Sequence, residues 1–549
     1  MSSIKETIST SLKKALQDLG IEGVEPQVEA PADSSHGDYA SNIALAIFSS
    51  SKFKVLASRR SGQSSKFRSP LELAKEIASI IHDSSFIILS KVEAVPPGFI
   101  NFWLSKDYLV AELEKVLAEK ESYGKISRLR NSFGEPRKIM LEFADPNPFK
   151  EFHIGHLRNI TLGESFARLL EAQNAVLWRV DYQGDVGMHV AKALYGLLQI
   201  SKLKSQNSNL TLENKKQIQD IINELDKRTL KEKVKILGQA YAAGSKAYEE
   251  DETAKKEIQS INIKVYQMDE SVKNLWAAGR QWSLEHFEQI YRRVGTKYKH
   301  YYFESAISPL GKELVVNNVQ KGIFEASEGA IVFRGEKVGL HTRVFVTKEN
   351  YPTYEAKDLA LAKAKYEDVK YDKSIVITAH EQAIYFQVVL AALKLLFPDL
   401  AAKTVHYSFG FVRLKEGKMS SRTGNVITGD WLLDEAKRRI KESFKEMDEE
   451  TAEKVAVGAV KYSMLKFAPA SDISFSFEES ISLEGNSGPY IQYTYARTQS
   501  VLRKARDKND NTSLKRRRLL RLEAEEEVLL RLIVKFPEVV EEAGEGFAP

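Results

Sequence analysis

From Arg137 onward, short apolar runs alternate with stretches whose apolar residues recur at helical spacing. KIMLEFA reads as a strand, IGHLRNITLGESFARLLEAQN as a helix, and AVLWRVDYQGDVG as the next strand and its turn. Alternation of this kind predicts βαβ units and a parallel sheet. It is interrupted from Ser201 to about Glu270 by highly charged sequence with scattered apolar positions, read as a helical insertion rather than core. The sheet pattern returns in YYFESAI, in the hairpin-like AIVFRGEKVGLHTRVFVT, and in KSIVITA, which is followed by the helical EQAIYFQVVLAALKLLF.

Upstream, helical periodicity marks Ile4 to Leu19, Tyr39 to Phe48 and Pro70 to Ile81, and SKVEAVPPGFINFWLS is strand-like. Everything from Trp431 to the end reads as helical, and no repeat is evident. The expected fold class is α/β. A Rossmann-like parallel-sheet domain over 120–430, with its charged helical insertion near 201–290, lies between an α+β domain over 1–119 and an all-helical domain over 431–549.

Composition narrows the chemistry. The 549 residues are 43% hydrophobic and 28% charged, enough apolar material for several large cores. MSSIKETISTSLKKALQDLG mixes Lys with Glu and Asp, unlike a signal or transit peptide, and no apolar run approaches about 18 residues. A cytoplasmic protein without membrane attachment is expected. Zero Cys removes disulfides, thiolate metal sites and thiol nucleophiles. The net charge of +5 fits an anionic partner and equally fits an ordinary solvated surface. Residues 49–70, SSSKFKVLASRRSGQSSKFRSP, hold six Lys or Arg and no acid, as either a solvated insertion or a phosphate-contacting arm would.

Candidate chemistry gathers in LEFADPNPFKEFHIGHLRN, where a strand feeds a helix. Open parallel sheets bind ligands at such junctions, because a helix N-terminus offers free N–H groups and partial positive charge. His153 and His156 lie on the first turn with Gly155 between them and Lys150 just before. Two imidazole donors suit a phosphate whose charge grows in a transition state. Paired histidines could instead bind a metal, but the Glu of an H-E-x-x-H motif is missing, so no metal site is expected. In RLKEGKMSSRTGNVI, Lys418, Ser420, Ser421 and Arg422 lie between Gly417 and Gly424, as a leaving pyrophosphate would require or as a solvated basic turn would show. YIQYTYARTQSVLRKARDK interleaves Tyr490, Gln492, Tyr493 and Arg497, a base-stacking platform or helical core.

Taken together, HIGH and a KMSxx loop some 260 residues later on an alternating α/β framework resemble the class I aminoacyl-tRNA synthetases, and within them the arginyl-tRNA synthetase family. HGDYASNIALA, PPGFINFWLS, EFADPNPFKEFHIGHLRN, YQGDVG, YFES, YPTYEAKDLALA and GNSGPYIQYTYAR all fall in that family's order. The resemblance implies a tRNA-contacting N-terminal domain, an anticodon-binding C-terminal domain, and ligation of L-arginine to tRNA(Arg) through arginyl-adenylate with transfer to the terminal 2′-OH. ATP with its bound Mg would be consumed, by a monomer. His153, Gly155, His156, Lys418, Ser420 and Ser421 would contact ATP. Glu142, Asn147, Glu304, Tyr354 and Asp358 would line the arginine site, with a polar residue from His380, Glu381 and Gln382. A guanidinium with five donors wants carboxylates, which agrees with Glu304 and Asp358.

Two departures stand out. Ser421 replaces the second lysine of KMSKS, leaving Arg422 or Lys150 to supply that charge. The chain ends at FPEVVEEAGEGFAP, where the family's helical domain normally continues, so that domain is expected to be incomplete. The alternatives are a small-molecule nucleotidyltransferase, and a synthetase-like RNA-binding protein with weak or no catalysis.

Overall fold

The computed structural model describes residues 3–49, 67–82, 88–205, 211–415, 427–507 and 522–549, and divides into two compact units. The first comprises residues 1–126 with 504–542, the second 127–503 with 543–549. In the first unit, helices α1 (Ile4–Asp18), α2 (Ile43–Ser49), α3 (Pro70–His82) and α4 (Lys106–Glu119) accompany an antiparallel sheet. Its strands β1 (Tyr39–Ser41), β2 (Leu89–Val95) and β3 (Phe99–Leu104) run in the order β1-β3-β2. The helical reading of Tyr39 to Phe48 is corrected here, because Tyr39–Ser41 pairs with β3 and the helix begins at Ile43. Tyr39 and Ser41 both point inward, a period of two that three residues are too few to reveal beside an apolar helix.

In the second unit, five strands form one parallel sheet: β4 (Lys138–Glu142), β5 (Val176–Gln183), β6 (His300–Phe303), and, beyond a small antiparallel sheet, β10 (Lys373–Ala379) and β11 (Thr404–Phe409). The antiparallel sheet is β7 (Glu325–Ser327), β8 (Ala330–Phe333) and β9 (Arg343–Val346). The order β11-β10-β4-β5-β6 reverses direction between β4 and β10. A crevice opens at such a switch point beyond the carboxyl ends of the strands. The central strand KIMLE is buried over four successive positions, which a strand covered on both faces requires.

Helix α5 (Ile154–Ala172) packs on one face of the sheet, in a core that holds Leu157, Phe166 and Phe287. Helices α6 (Met188–Ser205), α7 (Lys215–Asp226), α8 (Leu230–Glu250), α9 (Glu252–Gln267) and α10 (Glu270–Val294) build the insertion around a core of their own. The opposite sheet face is covered by α11 (Glu304–Asn317), α12 (Tyr354–Val369) and α13 (Ala383–Leu396). YYFESAI is thus strand only to Phe303, and Glu304 opens a helix at the strand's end.

Beyond residue 426 the described residues are mainly helical, but not wholly as expected. Strand β12 (Val412–Leu414) pairs in parallel with β13 (Ile473–Phe475), a three-residue strand whose apolar ends sit in the core. The remaining helices include α14 (Glu449–Leu465), α15 (Gly488–Asp507) and α16 (Ala524–Gly546). Leu530 and Val534 of α16 join the core of the first unit, and the Tyr39 hydroxyl donates to Glu538 at 3.0 Å.

Candidate active site

The connection from β4 to α5 is unusual backbone. Ala144, Asp145 and Phe149 all take positive φ (79°, 48° and 68°), a conformation that costs a non-glycine residue energy and persists only where surroundings impose it. The surroundings are identifiable. The Asp145 amide donates to Asp181 Oδ1 at 3.2 Å, while Asp145 Oδ1 accepts from the Tyr182 amide at 3.0 Å, so the two strand ends clasp each other. The Phe149 amide donates to Ser283 Oγ at 3.0 Å, and its ring fills the space left by Gly279, where a Cβ would lie 2.3 Å from Cε1.

That loop delivers two stacked imidazoles. His153 is the N-cap of α5, its Nδ1 accepting from the Gly155 amide at 3.1 Å, and His156 Nδ1 accepts from the His153 amide at 3.1 Å. The rings stack with centroids 3.7 Å apart. Burial, reinforced by Lys150, pulls His153 down to about 4; burial, His153 and Lys150 hold His156 well below its ordinary value. Both are neutral near pH 7, and a neutral ring whose Nδ1 accepts carries its proton on Nε2. The helix start therefore fixes the tautomer, leaving two Nε2–H donors.

Both rings border a cavity of about 980 Å³ at the switch point. Glu142, Asn147, Gly155, Glu304, Tyr354, Asp358 and Glu381 border it as well, together with Asp145, Tyr182, Gln382 and Tyr385. Gly184, from YQGDVG, forms part of the wall: a Cβ there would come within 2.2 Å of Asn147 Oδ1 and 3.2 Å of Glu304 Oε1. A methyl group there would displace the Asn147 amide oxygen.

The carboxylates differ in their partners. Glu142 Oε2 meets Lys365 Nζ at 2.5 Å and Glu304 Oε2 meets Lys357 Nζ at 2.8 Å, all four side chains almost fully buried. Asp358 forms no ion pair with a lysine among the described residues; its Oδ2 accepts the Tyr385 hydroxyl at 2.6 Å, and burial pushes its pKa up to about 7 against that hydrogen bond and the more distant charge of Lys365. Sequence reasoning missed Lys357, Lys365, Asp145 and Tyr385. The two lysines lie on a helix whose charged positions suggest a solvated face, and Asp145 passed for a turn residue.

Among the described residues, Lys150 and His380 do not border the cavity. The Lys150 ammonium rests 5.0 Å over the Tyr241 ring, and His380 packs edge-on against Phe411, 3.8 Å from Asp472. Lys418, Ser420, Ser421 and Arg422 lie outside the described residues, as do positions 50–66 of the basic loop. The exit from that second motif is described, and it joins the first: the Ile154 amide donates to Ile427 O at 3.0 Å and the Gly429 amide to Phe152 O at 2.7 Å. On α15, Tyr490 and Tyr493 are exposed and Arg497 lies over Tyr493 at 5.6 Å, whereas the Gln492 amide is engaged by Lys454 O at 3.0 Å.

A switch-point cavity edged by a paired-histidine helix start sits within residues 112–477, which match the family described as tRNA synthetases class I (R), catalytic domain. The chain thus carries the catalytic domain of a class I aminoacyl-tRNA synthetase. Residues 2–104 match the arginyl tRNA synthetase N terminal domain, and 491–549 the DALR anticodon binding domain. The arginine–tRNA ligase of Treponema denticola is 30% identical over 98% of this chain and 88% of its own length, and that of Lactobacillus delbrueckii 30% identical over 99% and 88%. The chain belongs to the arginyl-tRNA synthetase family. In fold it is similar to the arginyl-tRNA synthetase of Thermus thermophilus, with a TM-score of 0.71, 23% identity, and coverage of 100% of this chain and 88% of that one.

Proposed function

We propose that the cavity binds arginine by its guanidinium at Glu304 and Asp358 and holds the α-phosphate of ATP against His153 and His156. The chain ligates L-arginine to tRNA at the expense of ATP. The arginine carboxylate attacks the α-phosphorus, the bond to the β-phosphate breaks and pyrophosphate leaves. The terminal 2′-OH of tRNA(Arg) then attacks the arginyl carbonyl, and AMP departs. Magnesium arrives with the nucleotide as part of the substrate.

The observation that carries this reading is the tautomer lock. Donors fixed in place by backbone amides need no reorganisation as charge develops on phosphate oxygens, the condition under which hydrogen bonds lower a barrier most. Neutrality matters too, since two stacked imidazolium ions would repel each other. Asn147, pressed against Gly184, suits the α-amino or carboxylate end of the amino acid. Glu142 is neutralised by Lys365 and supports the pocket floor, and Tyr354 supplies its hydroxyl. Lys150, Lys418 and Arg422 are assigned to the departing pyrophosphate, and Tyr490, Tyr493 and Arg497 to tRNA. We also propose that the enzyme works as a monomer in the cytoplasm.

Exchange of Asp358 for Asn tests the assignment. A guanidinium that loses a carboxylate partner should raise KM for arginine by roughly tenfold to a hundredfold in ATP–pyrophosphate exchange with tRNA present. An unchanged KM removes Asp358 from the arginine site.

A further inference from the structure

Glu304 borders the cavity, yet among the described residues only one of its oxygens is taken. Oε2 meets Lys357 at 2.8 Å, while Oε1 lies along the wall beside Gly184. Lys357 itself does not border the cavity. Its ammonium is caged by two rings, with centroids at 5.8 Å for Tyr266 and 4.8 Å for Tyr354. Tyr266 comes from α9 of the charged insertion, is stacked on Tyr351 at 4.9 Å, and brings that insertion against the arginine pocket.

A carboxylate this deeply buried takes up a proton unless a cation faces it. Burial holds the Glu304 pKa above its ordinary value, and Lys357 is the chief charge opposing that shift: Asp185 and Asp358 act against ionisation, the phenols of Tyr182 and of the exposed Tyr354 lie beside it, and Lys150 contributes least. Although burial alone would lower it, the Lys357 ammonium is raised by Glu304 and Tyr266, so it stays charged. A protonated Glu304 could donate to the carbonyl of a neutral side chain, whereas an ionised one can only accept.

We propose that Lys357 is a positioning residue that sets amino-acid specificity, holding Glu304 ionised with Oε1 free for a guanidinium, and that Tyr266 of the insertion holds Lys357. This deepens the arginine assignment and rests on Glu304 belonging to that site.

The test is ATP–pyrophosphate exchange with tRNA, using arginine and its neutral isostere citrulline from about pH 6 to about pH 8.5, on Lys357→Met, Lys357→Arg, Tyr266→Leu and Glu304→Gln. Lys357→Met is expected to raise KM for arginine about tenfold to a hundredfold while kcat moves less than about threefold. Its kcat/KM should fall on acidification at higher pH than the parent's, and its preference for arginine over citrulline should shrink. Lys357→Arg should restore most of each, and Tyr266→Leu should shift both in the same direction by less. Parental KM and pH profile in Lys357→Met overturn the proposal. So does a loss of melting temperature and kcat with no change in selectivity and no rescue by Arg. Should Lys357→Met fail to fold, Tyr266→Leu decides: parental selectivity and pH profile overturn the proposal. A Glu304→Gln enzyme with parental KM overturns the arginine assignment of Glu304 instead.

Discussion

His156 does two jobs with two nitrogens, and they can be separated. Nδ1 accepts a backbone hydrogen bond at the start of α5, which leaves Nε2–H as the donor of a ring that borders the cavity. Asn at this position keeps an acceptor near Nδ1 but has nothing at Nε2. His156→Asn should slow adenylate formation by about 10²- to 10³-fold, the usual cost of one fixed donor to a charge-developing oxygen. His156→Ala should do the same and also lower stability by about 1 kcal/mol through loss of the cap. Rapid-quench adenylate assays and denaturant melts check both; a fast His156→Asn enzyme would remove the donor role. Asp358 is titratable in the working range of the enzyme. Its pKa, pushed up to about 7 by burial, means that acidification neutralises the carboxylate before arginine arrives. The sign follows: kcat/KM for arginine should fall as pH drops through about 7, and kcat, measured with arginine bound, should be less affected. Asp358→Asn should flatten that limb.

Residues of this kind divide by whether their surroundings are local. His153, His156 and Gly155 were legible because their contacts lie within one helical turn. Glu304 and Asp358 were legible as chemistry, through motif order, but not as environment. The lysines that neutralise Glu304 and Glu142 lie 53 and 223 positions along the chain, and nothing local to Lys357 or Lys365 marks them as buried.

At the scale of elements, the insertion is a packed body rather than a solvated ornament. Helices α6 and α8 cross where Gly196 meets the Ala240 carbonyl and Gly244 meets the Lys192 carbonyl, a Cβ on either glycine lying 1.9 Å from the facing oxygen. Backbone cannot move aside as a flexible side chain can. Gly196→Ala should therefore destabilise the protein by about 1–3 kcal/mol, the range for overpacking, measured by chemical denaturation. An unchanged midpoint would contradict the crossing. The parallel sheet and its helices were legible because buried apolar runs and helical periodicity extend over many residues. The three-residue strands Tyr39–Ser41 and Ile473–Phe475 were not, since each owes its conformation to a partner far along the chain.

At the scale of the molecule, chain order and compact units part company. Helix α16 completes the N-terminal unit, with Glu538 accepting from Tyr39 across 499 positions and Leu530 and Val534 buried in its core. An amphipathic helix announces that one face will be covered, not what will cover it. In the second unit every described group assigned to arginine or to the α-phosphate is set at one sheet switch point, apart from His380. Its carboxylates and neutral histidines are two demands on one cavity: positive charge at one end of the amino acid, developing negative charge on the nucleotide. ATP–pyrophosphate exchange with arginine, lysine and citrulline, each with tRNA, tests that pairing most directly. Exchange with arginine is expected, with kcat/KM lower by roughly 10⁴-fold for both others, because each leaves a buried carboxylate short of partners. Comparable exchange with citrulline or lysine, or none with arginine, would contradict it.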